Sequence, residues 1–284
     1  MSESLISDVS DTALWVATYR AEESERADAL FHDPLAHRLA GDQGKKIAAQ
    51  ISGSKYPRWS VVIRTHIIDA FIREQISKGV DQIVNLGAGL DTRPYRLDLP
   101  PSLNWVEVDY PHLIQYKERQ LAGEIPKCHL KRIGLNLADP AERSKLFSEL
   151  GSASKKTLIL TEGVIIYLTE EEVAALAEDL HRQKGFSFWI TEYHSPEIMR
   201  FMKSKRRQKE LKNAPFQFAP ADWFAFFSKR GWYARKTRYL IEESEKLGRP
   251  VPMPWWAHLL SAIFFKSKKR EQGRRFSAYV LLEK

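Results

Sequence analysis

Val84–Arg93 reads VNLGAGLDTR, an apolar strand that runs directly into the glycine pair Gly87 and Gly89. Glycines at such a turn let the backbone reverse tightly and let a ligand approach the main chain. A dinucleotide loop has the pattern G-x-G-x-x-G, whereas the third position here is Thr92, which argues against NAD. The stretch therefore predicts an α/β fold in which this loop, with Ala88 at its centre, binds a different ligand.

Strand and helix patterns alternate outward from this loop. The helices begin at recognisable signals, which are Pro111, the N-cap Asp139 before Pro140, and the capping box Thr169–Glu172. Such alternation predicts a parallel sheet covered on both faces, with ligands at the carboxyl ends of the strands. The candidate strands are Gln82–Leu86, Asn104–Val108, Leu130–Leu135, Thr157–Thr161, Phe186–Thr191 and a closing Arg275–Leu282.

Two acidic residues follow strands of this predicted sheet. Asp109 comes 20 residues after Gly89, where a carboxylate can accept both ribose hydroxyls of an adenosine. The alternative is a surface aspartate that caps the helix beginning at Pro111. Glu162 follows the fourth strand and would face the crevice, where it could meet a positively charged group, or it is an ordinary strand-end glutamate in water.

Arg64 lies in an amphipathic helix predicted over Val61–Ile76. It borders the apolar stripe, because Ile67 and Ile68 are three and four residues away. The side chain could therefore reach inward to a carboxylate. Periodicity alone favours an extension towards solvent.

The net charge of +8 is concentrated in two short stretches. Lys203–Lys212 and Lys266–Arg275 each hold six basic residues and one acidic residue, so together they contribute +10 and the rest of the chain carries −2. A solvated surface explains both stretches. The alternatives are an anionic substrate, a membrane surface or RNA.

Composition argues for a protein that stays in a reducing, cytoplasmic environment. The first basic residue is Arg20, with three acidic residues before it, which is unlike a signal peptide. The most apolar segment, Pro254–Phe265, is too short to span a membrane. Cys128 is the single cysteine, so a disulfide framework is excluded, and we expect a passive thiol.

Three longer runs share a pattern with one enzyme family. VNLGAGLDTRPYRL (84–97), VEVDYPHLIQYKE (106–118) and TEGVIIYLTEEEV (161–173) resemble the leucine carboxyl methyltransferase-like family, which uses S-adenosylmethionine (SAM). FHDPLA (31–36), RTHIIDAFI (64–72) and the closing PVPMPWW…FSAYVLLEK extend the likeness to nearly the whole chain from about residue 12. The tail and length are most similar to the bacterial branch, which includes the tetracenomycin-pathway carboxyl O-methyltransferase.

The resemblance implies a class I SAM-dependent methyltransferase fold with a mostly parallel seven-stranded sheet. We expect one domain over 1–284, with an N-terminal helical cap over 1–60 and a lid over 195–265 before the last strand. The oligomeric state is left open.

The resemblance also implies a cofactor site without a metal, in which Arg64 pairs with the carboxylate of SAM. Asn136 departs from the family's usual aspartate beside adenine, although its carbonyl can still accept a hydrogen bond from the adenine amine. Asp28 stands where the eukaryotic enzyme has a lysine. The expected cofactor-binding residues are Arg64, Gly87, Ala88, Gly89, Asp91, Asp109, Tyr110, Asn136, Leu137, Glu162 and Gly163.

The predicted reaction is O-methylation that forms a methyl ester on a small, hydrophobic acceptor such as a polyketide, with S-adenosylhomocysteine as co-product. A carboxylate is ionised at neutral pH and needs no base, and Tyr167 could orient it. A phenol or alcohol acceptor is the alternative, with His194 or Tyr193 as base. The aromatic residues that form either core or acceptor pocket are Trp223, Phe224, Phe226, Phe227, Trp255 and Trp256.

Two rival functions remain beside methyl transfer. One is an NAD(P)-dependent oxidoreductase. The other is a non-catalytic or nucleic-acid-binding protein that uses the two basic stretches.

Overall fold

The computed structural model describes residues 11–50, 55–202, 215–252 and 273–284. Its strands are β1 (Gln82–Leu86), β2 (Asn104–Asp109), β3 (His129–Gly134), β4 (Thr157–Thr161), β5 (Phe186–His194), β6 (Tyr233–Tyr239) and β7 (Ser277–Glu283). They form a sheet of order β3-β2-β1-β4-β5-β7-β6. The pairs from β3 to β5 are parallel, and β7 runs antiparallel to β5 and β6. The predicted mostly parallel seven-stranded sheet is confirmed.

Helices cover both faces of this sheet. They are α1 (Asp11–Ser24), α2 (Ala36–Gln50), α3 (Lys55–Ser77), α4 (Arg93–Arg96), α5 (Pro111–Gln120), α6 (Pro140–Ala153), α7 (Glu170–Arg182), α8 (Pro196–Met202), α9 (Trp223–Ser228) and α10 (Leu240–Lys246). The side chain of Asp139 caps α6, and Thr169 and Glu172 form the capping box of α7, as the sequence predicts.

The core consists of two apolar layers because successive side chains of a strand point to opposite faces. Ile159 of β4 joins the layer that α6 and α7 cover. Leu158 and Leu160 join the layer that α3 covers. Every residue of β4 is buried, which explains why this strand appears in the sequence as one continuous apolar run.

The fifth strand is longer than its sequence pattern predicts. We expected it to end at Thr191 and placed Tyr193 and His194 in the following loop, but both residues lie within β5. The extension depends on β7, since Tyr193 pairs with Ala278 and His194 pairs with Ser277. This antiparallel pairing joins segments more than 80 residues apart, so local sequence carries no signal for it.

Strand β6 has no counterpart among the predicted strands. Its sequence, YARKTRY, is rich in charge, and four of its seven residues are exposed. A strand at the edge of a sheet tolerates such a composition, because charge there opposes pairing with another chain.

Some predictions fall outside the described residues. They are Lys203–Lys212, Pro254–Phe265, Trp255, Trp256 and most of Lys266–Arg275. In the part of the chain that is described, no helix combines the length and apolar character needed to cross a membrane.

The first two helices pack together above the loop that follows β1. Leu14 of α1 and Leu39 of α2 belong to one apolar cluster with Leu90 of that loop and Leu113 of α5. The two helices approach closely at Gly44, where an added Cβ would lie 2.7 Å from the carbonyl oxygen of Leu14.

We expect Gly44→Ala to lower the free energy of unfolding by about 1–3 kcal/mol, because the methyl group must displace backbone in a packed interface. Urea denaturation monitored by circular dichroism measures this loss. Gly273→Ala is the matched control, since no atom of the described residues lies within 4 Å of its added Cβ. Equal stability of the two variants would contradict the close packing of α1 on α2.

Candidate active site

Strand register places two acidic residues beside the glycine loop. Leu86 at the end of β1 pairs with Val108 of β2 and with Thr161 of β4. The next residue of each strand is therefore level with Gly87, which puts Asp109 on one side of the loop and Glu162 on the other. Strand order reverses between β1 and β4, the place where open α/β sheets bind their ligands.

The loop is held against β2 by its own backbone. The amides of Gly87 and Ala88 both donate to the carbonyl oxygen of Val108, at 2.8 and 3.2 Å. Gly87 has φ +67°, and a Cβ there would collide with Cγ2 of Val164. Glycine is therefore required at this position by both backbone conformation and close approach.

Asp109 is buried and accepts two backbone hydrogen bonds. Its Oδ2 accepts from Gly89 N and its Oδ1 from Tyr110 N, both at 2.7 Å. Burial raises the pKa of this carboxyl, while the two amides oppose the rise. Each oxygen keeps a second lone pair for a hydroxyl group. The ring of Tyr110 is exposed and stacks on His112.

Glu162 and Arg64 form a largely buried ion pair across the crevice. Arg64 Nε donates to Glu162 Oε1 at 2.9 Å, so Arg64 reaches inward from α3. Burial alone would raise the pKa of Glu162, but the guanidiniums of Arg93 and Arg64 outweigh it and lower the pKa. Gly163 follows in the left-handed region with φ +68°.

The guanidinium of Arg64 has donors to spare. Within the described residues its side chain makes one hydrogen bond, through Nε, and 17% of the side chain is exposed. The two terminal nitrogens are therefore available to an anionic ligand, and their fork geometry matches a carboxylate.

Arg93 is the centre of a buried network beneath the loop. Its Nε donates to Asp69 Oδ1 at 2.7 Å, and its Nη1 donates to Asp91 Oδ2 at 2.7 Å and to Glu162 Oε2 at 2.9 Å. Only 2% of the side chain is exposed. A buried cation with three carboxylates fixes the loop relative to α3 and β4.

The carboxylate of Asp91 is already engaged within the protein. Its Oδ1 accepts from the backbone of Arg93, and its Oδ2 accepts from Arg93 Nη1 and from Asn85 Nδ2. The geometry therefore gives Asp91 a part in shaping the loop. A contact with the cofactor, as the sequence suggested, would have to compete with these bonds.

Asn136 and Leu137 follow β3 at the far side of Asp109. Asn136 is exposed, and its Oδ1 accepts from Ala138 N at 3.0 Å. The carbonyl oxygen of Leu137 accepts from Arg143 Nη1 at 2.9 Å. The Oδ1 of Asn136 keeps a second lone pair, which is the acceptor that the expected hydrogen bond from the adenine amine would use.

The three residues proposed to handle the acceptor occupy different environments. Tyr167 ends the 3₁₀ turn Ile165–Tyr167, where burial raises the pKa of its hydroxyl to about 12. His194 Nδ1 lies 2.9 Å from Ser277 Oγ, and burial, with a smaller effect of Arg64, lowers the pKa of its imidazole to about 4.

Tyr193 points to the opposite face of the sheet from its neighbour His194. It belongs to the α9 side, where its ring lies 5.3 Å from Phe224, 5.6 Å from Trp223 and 6.2 Å from Tyr239. Trp223 and Phe227 are buried core, whereas Phe224 is exposed. Of these rings, that of Trp223 lines a small cavity that His194 also lines.

Sequence reasoning missed two residues of this site. Arg93 was read only as part of the loop motif, and Glu192 was not considered. Glu192 sits in an ordinary β-strand pattern, and its burial becomes visible only through the pairing of β5 with β7. Burial raises the pKa of the Cys128 thiol to about 11, which disfavours the reactive thiolate form.

A glycine loop after β1, a buried aspartate at the end of β2 and a cleft at the reversal of strand order define an α/β enzyme that binds an adenosine-containing ligand. Residues 13–181 match the leucine carboxyl methyltransferase family, and the chain belongs to it. The predicted class, a SAM-dependent methyltransferase, is confirmed.

Relatives in actinobacteria carry matching names. A protein of Mycobacteroides abscessus named as an S-adenosyl-L-methionine-dependent methyltransferase is 28% identical over 282 residues, covering 87% of this chain and 91% of its own. A similarly named protein of Streptomyces coelicolor is 33% identical over 183 residues, covering 61% and 65%.

Solved structures share the fold at low identity. A DUF574 family protein from Streptomyces avermitilis superposes with a TM-score of 0.55 at 13% identity, covering 94% of this chain and 96% of its own. A methyltransferase from Thermobifida fusca gives 0.53 at 15% identity, covering 94% of each.

We expect Arg93→Met to lower the free energy of unfolding by about 3–5 kcal/mol, because it leaves the buried carboxylate of Asp91 without its guanidinium. Asp69 keeps Arg96 as a partner, and Glu162 keeps Arg64. Urea denaturation measures the loss. Arg182→Met is the control, since Arg182 is mostly exposed beside Asp179 and should cost less than about 1 kcal/mol. Similar losses in both variants would mean that the network contributes little.

Proposed function

We propose that this methyltransferase forms a methyl ester on a carboxylate of a small, hydrophobic acceptor. The observation that carries the choice of a carboxylate is the state of His194, whose pKa is lowered to about 4 by burial. A base is most effective when its pKa lies near the working pH, so this imidazole is poorly suited to deprotonate a phenol. A carboxylate acceptor needs no such base.

Tyr193 is an equally poor candidate for a base. Burial raises the pKa of its hydroxyl, and the ring is packed among Trp223, Phe224 and Tyr239 on the other face of the sheet. The geometry therefore favours an acceptor that arrives already ionised. A hydroxyl acceptor that uses His194 remains the second candidate, because this residue lines a cavity at the strand ends.

The residues around the loop fit SAM. Asp109 offers two carboxylate oxygens to ribose hydroxyls, and Arg64 offers two nitrogens to the methionine carboxylate. Gly87, Gly89 and Ala88 keep the main chain open to close approach, and the exposed ring of Tyr110 offers a face for adenine. When bound, SAM supplies a methyl group that is already activated by a sulfonium.

The protein's own contribution is then binding, orientation and exclusion of water. Glu162 lies on the β4 side of the loop, where its carboxylate, kept ionised by Arg64 and Arg93, would face the positive charge of the sulfonium. Thr12 of α1 hydrogen-bonds the side chain of Tyr167, so the first helix reaches across the crevice. We assign to Tyr167 the orientation of the acceptor carboxylate.

We expect the labelled product of the reaction to be an ester. The protein is incubated with methyl-labelled SAM and a hydrophobic metabolite extract, and the products are treated with mild base. Release of the label as methanol supports the proposal. Label that survives base contradicts it.

We expect Arg64→Met to weaken binding of S-adenosylhomocysteine about 10- to 100-fold, the loss of a charge-assisted contact. Adenosine, which lacks the carboxylate, should bind with less than about a twofold change. Calorimetry with both ligands separates the two effects, and Glu162 keeps Arg93 as a partner in the variant. Equal losses for both ligands would contradict the assigned role of Arg64.

A further inference from the structure

A small cavity lies at the carboxyl end of β5, close to the cofactor loop, because Val164 packs against Gly87 and its amide donates to Glu192 of the cavity lining. It sits between the 3₁₀ turn, the end of β5 and the segment that leads into α9. Its lining residues are Ile165, Ile166, Glu192, His194, Phe218 and Trp223. Two of the six are ionisable, and they stand two residues apart on the same face of β5.

The two oxygens of Glu192 have different surroundings. Oε1 accepts from Val164 N at 3.0 Å and from Ile166 N at 3.2 Å, so it anchors the turn. Among the described residues, the partner of Oε2 is the hydroxyl of Thr191 at 3.5 Å, at the limit of a hydrogen bond. Oε2 is therefore the oxygen available to a ligand in the cavity.

The groups around Glu192 come from every neighbouring element. His194 is on β5, Tyr279 is its register partner on β7, and Tyr167 is on the turn. Arg64 approaches from α3 and lowers the pKa of Glu192 only weakly. Burial is the largest effect, and it raises the pKa of Glu192. Glu162 does not lower this pKa, because it is itself a carboxylate.

We propose that Glu192 binds the acceptor directly: its carboxyl, in the acid form, donates a hydrogen bond from Oε2 to one oxygen of the acceptor carboxylate. The other acceptor oxygen is left for the methyl group. The inference rests on the proposed function, because it assigns a binding site to the carboxylate acceptor of that reaction. Two carboxyl groups this close in a buried cavity cannot both ionise, so they share one proton.

This arrangement gives the cavity a selectivity that depends on pH. Below the raised pKa of Glu192 a carboxylate ligand meets a hydrogen-bond donor. Above it the ligand meets a second negative charge, so affinity falls by up to about tenfold per pH unit. A neutral amide of the same shape has no charge to repel and should bind independently of pH.

The test uses benzoate and benzamide as probes, titrated calorimetrically into the protein saturated with S-adenosylhomocysteine from pH 5.5 to 8.5. The affinity for benzoate should fall as the pH rises, and the protein should take up about one proton when benzoate binds. The proton uptake is measured from the dependence of the binding enthalpy on the buffer. Benzamide should show neither effect.

Glu192→Gln should remove the slope and the proton uptake. The amide keeps an oxygen for the amides of Val164 and Ile166, and its nitrogen donates at every pH, so the fold is retained. Glu197→Gln is the matched control, the same change at an exposed carboxylate five residues on, and should behave as wild type.

Absence of benzoate binding, or a flat benzoate profile in the wild-type protein, overturns the proposal, as does a slope that persists in Glu192→Gln. These measurements involve no methyl transfer. A base-stable product combined with proton-linked benzoate binding would reject the ester but keep the carboxylate site, so the two failures are distinguishable.

Discussion

The guanidinium of Arg93 holds three carboxylates that come from three separate parts of the chain. Asp69 belongs to α3, Asp91 to the loop after β1, and Glu162 to the end of β4. A buried carboxylate without its cation costs several kcal/mol, so the pairing of Asp91 with Arg93 ties the loop to the guanidinium that also contacts Asp69 and Glu162. This cation fixes the cofactor loop together with the backbone hydrogen bonds from Gly87 and Ala88 to Val108, and Arg64 extends the same network to the open crevice.

Strand alternation then divides the crevice into two kinds of surface. Glu192 and His194 face the α3 side, together with Arg64, and make it polar. Tyr193, between them, faces the α9 side, where its ring packs against Trp223. A strand that ended at Thr191 would leave these three side chains without a fixed face. The pairing with β7 therefore fixes Glu192 and His194 on one face and Tyr193 on the other, and the rings of Phe218 and Trp223 complete the lining of the cavity at the end of β5.

Local signals in the sequence were sufficient for much of the fold. Apolar runs predict strands β1 and β4, and capping residues predict the starts of α6 and α7. The spacing of Asp109 after Gly89 predicts its position at the end of the second strand, beside the loop. Contacts between residues far apart in the chain could not be predicted from local sequence patterns. Arg64 could point either way until its partner, 98 residues later, was located. Glu192 carried no motif, and the charged strand β6 lacked an apolar pattern because an edge strand does not need one.

The carboxyl groups of the site differ in the sign of their pKa shifts. Arginine partners hold the pKa values of Asp69 and Glu162 below the ordinary range, so their ionised forms stabilise the fold at neutral pH and this contribution is lost as pH falls through the lowered values. Burial raises the pKa of Glu192, so ionising it costs stability as pH rises. The carboxylates of Asp69 and Glu162 are therefore ionised while Glu192 stays protonated only at pH values between the lowered pKa values of the first two and the raised pKa of Glu192. The pKa values of Glu162 and Glu192 shift in opposite directions because their hydrogen-bond partners differ. A guanidinium neutralises the charge of Glu162, whereas the two backbone amides on Glu192 leave its charge in place.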